Sequence, residues 1–175
     1  IFGLHSLALE DVVNARQHPK LEEYHDHVFL VLRAPVAFDM AATEQVALFL
    51  GKDFVLSFGE RPGDCFEPIR AQIRKDGSRI RENGADYLAY ALVDSIIDAF
   101  FPVLESYGEE VEEMETAIFQ RARPRILHSI HLMKQDMMAL RRIAWSHREI
   151  VNRVVRDTSP HFTEDRKSTR LNSSH

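Results

Sequence analysis

The apolar positions of this chain fall into four successive patterns. Residues 5 to 14, HSLALEDVVN, carry Leu9, Val12 and Val13 at helical spacing, and His18-Pro19 ends that element. The stretch YHDHVFLVLRAPVAF that follows is β-branched and aromatic, EQVALFL alternates, and DFVLSFG resumes across the short turn Gly51-Lys52-Asp53. Three strands are predicted, the last two as a hairpin. From Gly63 the spacing turns helical again, with Phe66, Ile69 and Ile73 on one side, until Gly77 and Ser78 interrupt it.

A heptad takes over after Asp86. Val93, Ile97, Phe100, Leu104, Tyr107, Val111, Met114 and Ile118 recur at spacings alternating four and three, the signature of a coiled-coil seam. After the connector QRARPR the device repeats in Ile126, Ile130, Met133, Met137, Leu140, Ala144, His147, Val151 and Val154. So short a connector permits only an antiparallel return. Two helices of about thirty residues, each roughly 45 Å long, are expected to protrude as a hairpin. Pro102 lies inside the first and is expected to kink it. The fold class is therefore α+β: a small sheet of about three antiparallel strands flanked by helices over residues 1–83, then a long antiparallel two-helix coiled-coil hairpin over residues 84–157.

Composition narrows the function classes. A net charge of -5 and a pI near 6.0 argue against nucleic-acid binding, which calls for a basic face. The single cysteine, Cys65, allows no internal disulfide and reads as a small, partly buried residue near a helix start, without the constellation that activates a thiol. YLAYALVDSIIDAFFPVL has the length of a membrane span but contains Asp94, Asp98 and Pro102. Each mid-helix Asp costs roughly 2.5 to 3.5 kcal/mol on insertion, so this segment reads as a buried helix of a soluble domain. Charge is segregated along the hairpin. Glu105, Glu109, Glu110, Glu112, Glu113 and Glu115 crowd the first arm, and Arg121, Arg123, Arg125, Lys134, Arg141, Arg142, Arg148, Arg153 and Arg156 dominate the second. Two readings stand: a solvated, charge-complementary hairpin whose exposed pairs contribute little, or a field acting on a nearby ion.

Catalytic chemistry finds little footing. His25 and His27 are expected on one strand face, and His128 and His131 on one helix face, but neither pair has a third ligand or a general base. No dinucleotide fingerprint, phosphate-binding loop or nucleophile elbow occurs, and no enzymatic activity is expected. Carboxylates remain. Glu10 and Asp11 end the first helix, and Asp94 and Asp98 sit one turn apart in apolar surroundings at the root of the hairpin. Buried there, they would need a base, a hydrogen-bond network or a hard cation such as Mg²⁺ or Ca²⁺. Spacing alone leaves a salt bridge or cap and a metal site both open.

The stretches FGLHSLALEDVVNARQHPKLEEYHDHVFLVL, EQVALFLGKDFVLSF, GDCFEPIRAQIR and ADYLAYALVDSIIDAFFPVLE resemble, in this order, the cytoplasmic portion of the CorA-type magnesium and cobalt channels. The likeness runs from Phe2 to about Glu164. Ser6 and His18 stand where the family usually has Pro and Arg. The resemblance implies a fragment, truncated at both ends, of a homopentameric channel of the cell inner membrane. In it, upstream residues complete an α/β/α sandwich, residues 158–164 begin a stalk helix, and the membrane helices follow outside this chain. Residues 165–175 are expected to be a non-native tail. The resemblance further implies Mg²⁺ as both the transported and the regulatory ion, with Co²⁺ and Ni²⁺ as further transported ions, and regulatory sites between subunits at Glu10, Asp11 and Asp94. A zinc transporter of the same superfamily and a soluble helical scaffold protein are the alternatives.

Overall fold

Two adjacent strands in this protein are buried on both faces, and that fact organises the rest. The computed structural model describes residues 2–36, 39–119 and 123–156. Four strands, β1 Lys20–Glu23, β2 His27–Val36, β3 Asp39–Gly51 and β4 Val55–Gly59, form one antiparallel sheet in sequence order. In β2 and β3 the pairs Val28 with Leu50, Leu30 with Leu48 and Leu32 with Val46 point one way, while Phe29 with Phe49 and Val31 with Ala47 point the other. Successive side chains alternate faces, so cover on both sides turns each strand into an unbroken apolar run.

The sheet's second face carries helix α1, Ser6–Val13, whose Ala8, Val12 and the preceding Leu4 pack on Phe29, Val31 and Phe49. His5 caps α1, its Nδ1 accepting from the Leu7 amide at 3.3 Å. The first face carries helices α2 Glu67–Arg74, α3 Arg79–Glu82 and α4 Ala85–Asp98, which bury Phe66, Ile69, Ile80, Leu92, Val93 and Ile96 against Leu30, Leu32 and Leu48. Ile73 is 40% exposed, so only two of the three residues expected on the buried side of α2 are covered.

The long helices are α5 Phe100–Phe119 and α6 Arg123–Arg156. Between α4 and α5 the helical bonding lapses at Ala99. Pro102 explains it: lacking an N–H, it cannot bond the carbonyl of Asp98 four residues back. Phe100, at the start of α5, meets the ring of His147, late in α6, at 6.0 Å between centroids, so the two helices run in opposite directions. The hairpin is therefore present, but its seam is half open. Tyr107 and Ile126 are buried, whereas Leu104, Val111, Ile118 and Ile130 are 41 to 50% exposed. Ala85–Ile118 has a mean hydropathy of 1.5 over its best window, as a membrane span would. The reading as a buried helix holds for α4, which faces the sheet; α5 leaves Phe101 60% exposed. No ion pair joins α5 to α6 among the described residues.

The sheet and the hairpin are locked at two points, one on β2 and one on β1. β1 pairs only with Val28 to Val31, which leaves the backbone of Arg33 without a strand neighbour on that side. His147 fills the gap: its Nε2 accepts from the Arg33 amide at 3.1 Å. Nearby, Arg153 donates from Nη1 to the Leu21 carbonyl of β1 at 2.6 Å.

Candidate functional site

The three carboxylates expected to bind metal lie in two separate places. Glu10 and Asp11 sit on α1, and Glu10 is exposed. Asp11 is held by Lys20, whose Nζ donates to Asp11 Oδ2 at 2.6 Å and to Glu22 Oε1 at 2.8 Å. Tyr24 adds a hydrogen bond to Glu22 Oε2 at 2.9 Å. The Lys20 hydrogen bond holds the Glu22 carboxyl below its ordinary range, against the opposing pull of burial. Burial pushes the Lys20 ammonium down, but the hydrogen bonds it donates to Asp11 and Glu22, and their charges, outweigh it and raise it overall. A salt bridge thus accounts for Asp11 within one chain, as spacing allowed.

Asp94 belongs to a hollow on the other side of the sheet. At 100° per residue, the buried stripe Ala89, Leu92, Val93, Ile96 turns Tyr90, Asp94 and Asp98 away from the core. Both aspartates are exposed, so the expectation of apolar surroundings is corrected: α4 buries one stripe, and its carboxylates occupy the opposite one. They line an open hollow of about 540 Å³ together with Asp64, Tyr87 and Tyr90. Tyr90 Oη donates to Asp94 Oδ1 at 3.5 Å. Asp64 is neutralised by a two-pronged contact from Arg70, Nη1 to Oδ1 at 2.7 Å and Nη2 to Oδ2 at 2.5 Å, which holds its carboxyl below the usual range.

Because α1 covers one face of the sheet and α4 the other, Glu10 and Asp11 cannot meet Asp94 in one chain. Consistently, no group of three or more His, Cys, Asp or Glu among the described residues is placed to hold an ion. The donors themselves suit a hard cation, being carboxylate oxygens open to solvent at Glu10 and Asp94.

The histidine pairs carry no site. His25 lies in the bend before β2 with its side chain 98% exposed, while His27 is 2% exposed and stacks on Tyr24 at 5.0 Å. They do not share a strand face, because β2 begins only at His27. His128 and His131 are exposed on α6. Cys65 is half-buried, and desolvation pushes its thiol up, away from reactivity.

Residues the spacing did not single out are Lys20, Glu22 and Tyr24 around Asp11, and Asp64, Tyr87 and Tyr90 around Asp94. For the tyrosines a signal existed, since Tyr87, Tyr90, Asp94 and Asp98 keep one polar stripe along α4. Lys20 and Glu22 face Asp11 only because β1 forms, which their sequence does not announce.

Residues 1–173 match the profile of the CorA-like Mg2+ transporter protein family. The chain is similar to the cobalt/magnesium transport protein CorA of Thermotoga maritima, 37% identical over 91% of this chain and 46% of that protein. It is also similar to the magnesium transporter ALR1 of Saccharomyces cerevisiae, 27% identical over 67% of this chain and 14% of that protein. The chain thus spans less than half the length of either relative. In fold it matches the complete CorA magnesium transporter of Methanocaldococcus jannaschii with a TM-score of 0.84, at 16% identity, over 98% of this chain and 54% of that one. The soluble domain of the same protein matches with a TM-score of 0.77 at 17% identity, over 91% of this chain and 64% of that one. The expected stalk start at residues 158–164 and the expected tail at 165–175 lie outside the described residues, and the family match continues to residue 173. The family is one of transporters, which agrees with the expectation of no enzymatic step. With a profile match across nearly its whole length, the chain belongs to the CorA-like Mg2+ transporter family.

Proposed function

We propose that this chain is the cytoplasmic, metal-sensing part of a divalent-cation channel carrying Mg²⁺, and also Co²⁺, across the cell inner membrane. In this reading residues 1–83 form the part of the domain that carries the sheet, residues 84–157 the helical arms, and residues 158–164 lead toward membrane helices outside this chain. The full-length protein works as a homopentamer. One observation carries the sensing role: Glu10 and Asp11 lie on one face of the sheet and Asp94 on the other, both near solvent, so a site using all three takes them from two neighbouring copies.

The residues then act as follows. Glu10 and Asp11 on one copy face Asp94 on the next, and like charges at close range push the two surfaces apart. Bound Mg²⁺ supplies the positive charge that offsets this repulsion. Tyr90 orients Asp94 through its hydroxyl, and Lys20 holds Asp11 in one rotamer. With the carboxylates neutralised, the interface favours one symmetric, closed arrangement; without that neutralisation it loosens. The bias between the two states equals the difference in their affinities for the ion. Oxygen-only donors favour Mg²⁺ over Zn²⁺ at this site.

The test is Asp11→Lys in the full-length channel, reconstituted in vesicles, with ion flux followed as internal Mg²⁺ is raised. Inhibition is expected to weaken or vanish. Unaltered inhibition in a correctly assembled pentamer would overturn the sensing role of Asp11.

A further inference from the structure

A cleft on the far side of the α1–β1 loop carries a charge pattern opposite to that of the metal candidates. It has a volume of about 340 Å³ and is lined by Arg16, His18, Arg33 and Arg142, by the apolar Pro19, Ala139 and Ile143, and by Ser146. No carboxylate lines it, in a chain whose net charge is -5. Its volume lies in the range of small-molecule sites, about 300 to 1,000 Å³.

The arginines divide into two kinds. Arg33 is committed to the fold: its Nε donates to Thr43 Oγ1 at 3.2 Å, its Nη1 to the Ala15 carbonyl at 3.1 Å, and its Nη2 to the Thr43 carbonyl, while Glu60 answers its charge at 3.5 Å. This anchoring pins the loop that follows α1 and so fixes the position of Arg16. Arg16 and Arg142 are exposed, and neither has a carboxylate within ion-pair distance among the described residues. On α6, Ala139, Arg142, Ile143 and Ser146 keep the spacing of one helical face, so an apolar wall and a cation are presented together.

We infer that this cleft binds a phosphoryl group, as free phosphate or as the phosphate of a small organic ester. Two guanidinium forks, one from the loop after α1 and one from α6, match the several oxygens and double charge of phosphate better than those of a single carboxylate. The organic part of an ester lies on Pro19, Ala139 and Ile143. Since the cleft joins the loop after α1 to the arm helix α6, its occupant couples those two elements. The inference stands apart from the metal-sensing reading and does not require it.

The chain contains one tryptophan, Trp145, three residues on from Arg142 along α6, and its fluorescence is followed together with the heat of binding by titration calorimetry. The 175-residue chain is titrated, in EDTA and at physiological salt, with sodium phosphate, sodium pyrophosphate and ATP. A saturable change is expected for at least one probe. Arg16→Glu/Arg142→Glu is expected to weaken it at least about tenfold, the worth of one charge-assisted hydrogen bond. Arg79→Glu, remote on α3, is expected to leave it unchanged. Equal affinity for phosphate and ATP assigns the site to the free ion; tighter ATP assigns it to an ester. Absence of saturation below about 1 mM for all three probes, or an equal loss in Arg79→Glu, overturns the inference. Should the double reversal unfold, Arg16→Gln and Arg142→Gln serve separately, with circular dichroism as the folding check.

Discussion

His147 spends its ring nitrogen on the edge of the sheet, although the heptad assigned it to the seam between two arms. To accept from the Arg33 amide, Nε2 must be unprotonated, so Nδ1 carries the hydrogen of the neutral ring. Burial lowers its pKa from 6.5 to about 4. In the unfolded chain the imidazole takes up a proton as pH falls through 6.5, while in the folded chain it resists until about 4. The unfolded state therefore binds more protons in that window, and stability, complete above 6.5, is lost as pH falls toward 4. The full loss amounts to roughly 3 kcal/mol. His147→Gln keeps an acceptor and cannot titrate, so its urea midpoint is expected to fall less than the wild type's between neutral pH and about pH 5. Identical pH slopes would mean that His147 titrates alike in the folded and the unfolded chain, so that its burial does not shift it.

At the scale of elements, strong periodicity was readable and short or edge structure was not. β2 and the core of β3 announce themselves because both faces are buried. β1, KLEE, has Leu21 as its one apolar residue, and its lysine and glutamates are what an edge strand uses to stay solvated. Hence a sheet of about three strands was expected where four stand. β3 starts at Asp39, ahead of its alternating stretch, and α3 is four residues long; neither carries a period to detect. The carboxylates of α4 were legible as a pair one turn apart, but which stripe faces the core depends on the sheet beneath. The hairpin between β3 and β4 was legible through its turn, and it yields a sharp expectation at Gly51. A Cβ there would lie 2.2 Å from Cε1 of Phe54, whose ring also packs on Phe2 at 4.9 Å. Gly51→Ala is expected to cost about 1 to 3 kcal/mol by overpacking. In a Phe54→Ala background the same change is expected to cost far less, and a double-mutant cycle by urea denaturation reads the difference. Equal costs in both backgrounds would place the penalty in the backbone instead.

The whole molecule adds a relation that no local pattern contains. Glu10 and Asp11 are on α1, Asp94 is on α4, and an entire layer of strands stands between those helices. A ligand stabilises a native state only where it finds a site that the unfolded chain lacks, by about 2.7 kcal/mol at one hundred times its dissociation constant. A single chain that separates its donors offers no such site. Two chains that bring α1 of one against α4 of the other do offer it, and the open seam of the arms keeps further apolar surface available to a neighbour. Mg²⁺ is therefore expected to leave the melting temperature of the dilute chain unchanged. In concentrated solution it is expected to raise both the melting temperature and the sedimentation coefficient together, and Asp94→Asn is expected to remove both effects. Stabilisation by Mg²⁺ that is independent of protein concentration would place the ion within one chain. It would then count against the intersubunit site, because the topology gives one chain no means of bringing these carboxylates together.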